Sequence, residues 1–254
     1  FQGDEARYVL FANNLSQGFY SGSDNVKLWN GPGYPIVLLP FVIFKLPWLM
    51  AKLLNALFLF WAIIYFYNAL RLYIPERHAL FFTYILGLYP PMLVSIHLLV
   101  TESFVFFLIC GFLYHVCKLY NTAGNKWAQL LAAAFYLGYF VLTKIYYAYI
   151  LAAMLLLITA LYLYKKRAGL KRSLLVYLLA FLISLPYLYY TYSLTGRPFY
   201  PGNAGGSSLY WISTPYNDEF GDWQDNSLAK NPLLLKNHQD FFNKISKLNS
   251  IQQD

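Results

Sequence analysis

Long apolar runs separated by short polar islands dominate the chain. Six runs stand out, at about 50–70, 79–98, 103–120, 127–143, 145–164 and 173–194. A helix needs about 20 apolar residues to cross the roughly 30 Å hydrocarbon core of a bilayer. Each run is therefore predicted as a transmembrane helix, the shortest ones steeply oriented. A further apolar segment, 35–46, is bracketed by Pro35, Pro40 and Pro47. At about 12 residues it is too short to span, and it is predicted as an interfacial or re-entrant segment. Two amphipathic helices flank this block. Near the start, Tyr8, Phe11, Ala12 and Leu15 share one helical face. Asp4 marks the helix start, Glu5 sits in the first turn, and Gly18 ends the pattern. This helix is predicted to lie along the outer membrane surface. Near the end, Phe241, Phe242, Ile245 and Leu248 predict a short amphipathic helix over about 240–249.

Composition supports the membrane reading. Apolar residues make up 59% of the 254 and DEKR only 12%, against roughly 25% charged in a soluble domain. The expected fold class is all-α: a polytopic transmembrane helix bundle with outer juxtamembrane helices and an extracytoplasmic loop segment. Three segments follow: a first extracytoplasmic loop with juxtamembrane helices over 1–47, a transmembrane bundle over 48–195, and an extracytoplasmic loop or lid over 196–254. The two cysteines, Cys110 and Cys117, fall about 10 Å apart along one helix and are predicted as small packing residues rather than a disulfide.

The net charge of +8 does not point to nucleic acid, because its distribution is that of a membrane protein. Lys165, Lys166, Arg167, Lys171 and Arg172 form one island. Arg71 and Arg77 follow the first run, and Lys118 and Lys126 flank the third connection. The intervening connections hold only Glu102 and Lys144. The positive-inside rule then puts the basic loops in the cytoplasm, and residues 1–47, 99–103, 143–146 and everything after Thr195 outside. If 35–46 spanned, all nine of those basic residues would face outside. An exported first loop without a signal peptide predicts an earlier transmembrane helix before Phe1, and the abrupt close at Asp254 leaves room for later ones.

Three polar groups collect at the predicted outer face. Asp4 and Arg7, three apart, are helix neighbours; the plain alternative is an ordinary surface ion pair. The turn Asn30-Gly31-Pro32-Gly33-Tyr34-Pro35 is rigid and lets another chain or a ligand approach its backbone; the plain alternative is a loop that starts the next helix. Thr101-Glu102-Ser103 puts a carboxylate at a helix start near hydrocarbon, which is costly; the plain alternative is a helix cap. Lys144 either snorkels to head groups or binds an anion. His97 is expected to be packed or hydrogen-bonded. No CxxC, HExxH, P-loop or dinucleotide fingerprint is present.

The order Asp4-Glu5-Ala6-Arg7-Tyr8, then Asn30-Gly31-Pro32-Gly33-Tyr34-Pro35, then Tyr89-Pro90-Pro91 leading to Thr101-Glu102, resembles the GT-C membrane glycosyltransferases. The likeness covers roughly residues 3–195. It is nearest to the branch holding the protein O-mannosyltransferases and the lipid A aminoarabinose transferases. The resemblance implies a GT-C-like bundle in which Asp4, with Glu5 beside it, is catalytic. It implies that Arg7 lies close to the donor phosphate and that Glu102 shapes the pocket or assists a metal. Where the lipid A branch has Lys-Pro-Pro, this chain has Gly31-Pro32-Gly33, so Lys27 or Lys144 takes the place of the phosphate-contacting lysine.

The implied activity is sugar transfer from a polyprenyl-phosphate donor to a glycan, lipid or protein acceptor, outside the cell (inner) membrane. The resemblance fixes no cofactor beyond the polyprenyl-phosphate-linked sugar as donor substrate, and a divalent metal is left open. The tail is expected to fold back over the cavity mouth through 209–223, with Tyr210 and Trp211 binding the acceptor; the plain alternative is a connector that merely joins two membrane helices. Asp218, Glu219, Asp222 and Asp225 cluster around Trp223 in the same stretch. The alternatives are a transporter or flippase of a lipid-linked glycan, which would want charged or broken helices near the midplane, and a non-catalytic scaffold.

Overall fold

Regular structure in this protein is helical, with no strand among the described residues. The computed structural model describes residues 3–23, 26–121, 126–203, 205–214, 216, 232–245, 247–248 and 251–252. The chain divides into two compact units: residues 1–20 with 30–189, and residues 21–29 with 190–254.

The first unit begins with α1 (Asp4–Ser16) and α2 (Gly33–Ile43). Asp4 and Glu5 lie in the first turn of α1, where their charge suits the helix dipole. The cap position belongs to Gly3, at φ 55°, and Asp4 is the first helical residue with no capping bond. The expected inward face holds at Tyr8, Phe11 and Ala12, all buried, while Leu15 is half-buried. That face packs on α2 rather than only resting on a lipid surface: Tyr8, Ala12, Tyr34 and Leu38 share one cluster. Helix α2 has 11 residues, about 16 Å, in line with a segment too short to cross. It ends at Ile43, and Lys45 turns the chain in the left-handed region.

Among the described residues, four helices are long and apolar enough to cross a membrane: α3 (Trp48–Leu70), α6 (Glu102–Asn121), α8 (Tyr147–Lys165) and α9 (Ala168–Thr195). The last six residues of α9 belong to the second unit. The fourth expected run forms α7 (Trp127–Thr143), a shorter apolar helix of 17 residues. The run at 79–98 departs from expectation. It is broken into α4 (Glu76–Gly87) and α5 (Pro90–Ser95). Pro90 disfavours helical backbone at the residue before it, and Tyr89 is extended, at φ −65° and ψ 113°. The six expected single spans are therefore four long helices, one short helix and one broken pair.

Ring contacts set the helix directions. Phe58 meets Phe104 and Tyr65 meets Tyr114, so α3 and α6 run in parallel. Phe104 meets Tyr139, and His115 shares a hydrogen bond with Gln129 at 2.7 Å, so α7 runs back against α6. Small residues let these helices close up: a Cβ on Gly111 would meet the Tyr136 ring at 2.6 Å, and one on Gly138 would meet Ile183 at 2.9 Å. The outward surfaces remain apolar. Leu156, Leu163 and Tyr164 on α8 are among the most exposed large side chains, a surface suited to lipid rather than water.

The two ends of this unit differ in chemistry. At one end, the Tyr120 hydroxyl donates to Gly169 O and is 2.7 Å from Ser173 Oγ, Asn121 bonds Tyr73, and Arg71 pairs with Glu76 at 3.7 Å. These contacts gather the loops that carry the basic residues. The other end gathers the residues around Glu5, Glu102 and Lys144.

In the second unit, the Asn203 side-chain amide bonds the 26–28 segment as a neighbouring peptide group would. Its Oδ1 accepts from Leu28 N at 2.8 Å and its Nδ2 donates to Val26 O at 2.9 Å. Tyr190 Oη accepts from Ser21 N and donates to Ser21 O. Trp211 from α10 (Gly205–Ile212) packs with Phe242 and Ile245 from α11 (Pro232–Ile245). The expected terminal amphipathic helix is thus present but begins earlier and ends at Ile245, with a kink at His238.

Candidate active site

Five sequence-predicted residues meet at the end of the first unit opposite the basic loops. Glu5 Oε1 accepts the Leu99 backbone N–H at 2.8 Å, joining α1 to the loop that leads into Glu102. Asp4 pairs with Arg7 one turn on; their side chains are 49% and 29% exposed. Lys144, just past the end of α7, lies 3.9 Å from Glu102 at the start of α6. Both cations thus already face a carboxylate.

The glycines of the Asn30–Tyr34 turn explain why Lys144 arrives here. A Cβ on Gly31 would lie 2.0 Å from Leu142 O, and one on Gly33 would lie 2.3 Å from Thr143 Oγ1 and 2.8 Å from its backbone N. What approaches this backbone is the last turn of α7. Tyr139 adds a hydrogen bond to Gly33 O at 3.2 Å. Below this contact, Tyr34 donates to Asn55 Oδ1 at 3.0 Å and Asn55 Nδ2 donates to Leu98 O at 2.7 Å. This satisfies a buried amide and holds the 96–101 loop against α3.

Tyr8 lies at the centre of the group, although the sequence places it on the apolar face of α1 and gives it no role of its own. Its hydroxyl accepts from Asn30 Nδ2 at 3.1 Å, and Asn30 O accepts from Tyr20 Oη at 2.6 Å. Burial pushes the Tyr8 phenol up to about 12; Thr101 and Asn30 draw it down, and the Asp4 and Glu102 carboxylates raise it further. Tyr8 is therefore a neutral hydroxyl at any physiological pH, within the field of both acids. The buried Asn30 Oδ1 and Thr101 Oγ1 atoms have no hydrogen-bond partner of good geometry. The available signal for Tyr8 was its position one turn after Asp4, with a polar tip on a buried face.

Other candidates are placed elsewhere. Lys27 belongs to the second unit, where its backbone N donates to Ser21 Oγ. Tyr210 and Trp211 also belong there. Trp211 is fully buried, and Tyr210 stacks on Phe241 at 3.7 Å and bonds His238 Nδ1 at 2.7 Å. Both side chains are committed to packing within their own unit. Of the expected lid, residues 209–214 and 216 are described. Asp218, Glu219, Asp222, Trp223 and Asp225 lie outside the described residues. His97, expected to be packed or hydrogen-bonded, is exposed on the turn that follows α5.

Among the described residues, no three His, Cys, Asp or Glu side chains gather closely enough to hold a metal ion. The arrangement offers an exposed carboxylate at a helix start, two cations, and a neutral phenol between two acids. It can accept a proton and offset an anion side by side. No known family, curated protein or solved structure matches the chain.

Proposed function

We propose that this chain is an integral-membrane glycosyltransferase that takes a sugar from a polyprenyl-phosphate donor and passes it to an acceptor hydroxyl at the extracytoplasmic face of the cell membrane. The observation that carries the reading is the convergence of Asp4, Arg7, Glu102 and Lys144 around Tyr8 at one end of an apolar bundle. The GT-C-like order of motifs adds to it.

In this mechanism Asp4 takes the proton of the acceptor hydroxyl as its oxygen bonds to the anomeric carbon. The bond from that carbon to the phosphate oxygen breaks, and its electron pair leaves with the lipid phosphate. Attack opposite the leaving group inverts the anomeric centre. Arg7 and Lys144 turn from their carboxylates toward the phosphate and offset its charge. Glu5 is a positioning residue, held by Leu99 N. Glu102 positions Lys144. Tyr210 and Trp211 pack within their own unit and take no part in this step.

A second reading, transport of a lipid-linked glycan, draws on one observation. Tyr65 and Tyr136 share a hydrogen bond at 2.8 Å beside His115, inside the bundle. Reconstituted full-length protein given a panel of polyprenyl-phosphate sugars distinguishes the two. Sugar transfer supports the enzyme, and movement of an intact lipid-linked glycan across the bilayer without transfer rejects it.

A further inference from the structure

The basic end of the first unit carries a feature that the proposed transfer does not use. A groove of about 600 Å³ opens there between the starts of α7 and α9. Lys126, Lys171 and Arg172 line it above an apolar floor of Trp127, Leu130 and Leu175. None of the three cations takes part in an ion pair among the described residues.

Their positions are unfavourable for the helices that carry them. Lys126 occupies the cap position of α7, and Lys171 and Arg172 follow closely on the start of α9 at Ala168. Neither helix has an acidic residue in its first turn. Positive charge at a helix start opposes the dipole, and three like charges around one groove repel one another. A bound anion would reverse both effects, held by the three cations at two helix starts.

The floor selects the kind of anion. Leu130 is buried in the cluster that joins α7 to α9, and Leu175 packs against it. Helix α9 is long and apolar enough to span, so its first turns fall at head-group depth. Basic pockets between helices at this level suit lipid phosphates. We propose that this groove binds the head group of an anionic phospholipid. Its phosphate lies between Lys126, Lys171 and Arg172, and its first acyl carbons rest on Leu130 and Leu175.

The test uses the full chain in neutral detergent, titrated with phosphatidylglycerol, phosphatidylcholine and inorganic phosphate, with bound lipid counted by native mass spectrometry. Phosphatidylglycerol should bind saturably and at least about tenfold tighter than phosphatidylcholine. The K126Q/K171Q/R172Q variant should lose that preference. The K165Q/K166Q/R167Q variant removes the same charge at the same end and should keep it. Arg172→Gln alone should weaken binding by about threefold or more, which keeps the test open if the triple variant does not fold. Equal loss in both triple variants would mean general charge attraction and overturn the proposal. Displacement of the lipid by equimolar inorganic phosphate would mean a free-anion site and also overturn it.

Discussion

The Glu5 carboxylate and the Leu99 backbone N–H, 94 positions apart in the chain, meet at 2.8 Å. This bond adds to the packing of Leu99 with Tyr8 and Ala12 in fixing α1 against the loop before Glu102. A hydrogen bond to a charged group contributes about 1.5–3 kcal/mol. Glu5→Ala should therefore lower the melting temperature in detergent, and Glu5→Gln, which keeps an acceptor oxygen, should restore much of it. Equal melting of Glu5→Ala and the parent protein would reject this positioning role.

Asp4 stands apart from Glu5 because it is exposed and, among the described residues, pairs with its helix neighbour Arg7. Asp4→Asn keeps the shape but cannot take a proton. Turnover should fall by about 100-fold or more, with melting unchanged. Near-normal transfer would move the base to Glu5 or Glu102.

Gly33 has no room for a side chain. Gly33→Ala would force its Cβ into the Thr143 backbone, 2.8 Å from N. Overpacking of this kind costs about 1–3 kcal/mol. Both melting temperature and transfer should drop, because the Lys144 turn moves with Thr143. An alanine variant with full activity would show that the two segments do not touch.

Tyr8 gives a pH signature. Its phenol is raised from 10.0 to about 12 in the folded protein, so the folded state holds this proton where the unfolded state releases it. Its contribution to stability is full below about pH 10 and falls as pH rises toward 12. In Tyr8→Phe, melting temperature should decline less steeply over that window than in the parent. Identical slopes would mean that the Tyr8 hydroxyl is not buried as described.

Sidedness can be read by labelling. With the basic loops inside, Ala168→Cys should resist a membrane-impermeant maleimide in intact cells, and Ala6→Cys should react. Both positions are exposed to solvent, so burial does not confound the result. Labelling at Ala168 alone would invert the orientation and remove the outer-face reaction.

The membrane class, the four long helices and the separation of basic from acidic ends were legible in the chain itself. The reason is that hydropathy and charge are additive along a sequence: about 20 apolar residues need hydrocarbon wherever they pack, and loops must alternate between the two faces. The short α2 followed from length and its prolines by the same logic. Local chemistry also held the cause of the break before Pro90, although the hydropathy count ran across it. The tertiary structure alone decided which groups meet. Nothing in the spacing of Glu5 and Leu99, or of Gly31 and Leu142, announces contact across such distances in the chain. Those contacts depend on close approach of particular helices, set by packing of side chains such as Tyr8, Tyr34 and Phe104. Trp211 shows the same limit from the other side. Its aromatic, acid-rich neighbourhood suggested a binding surface, yet Phe242 and Ile245 bury it, because an apolar ring goes to whatever core its own unit can form.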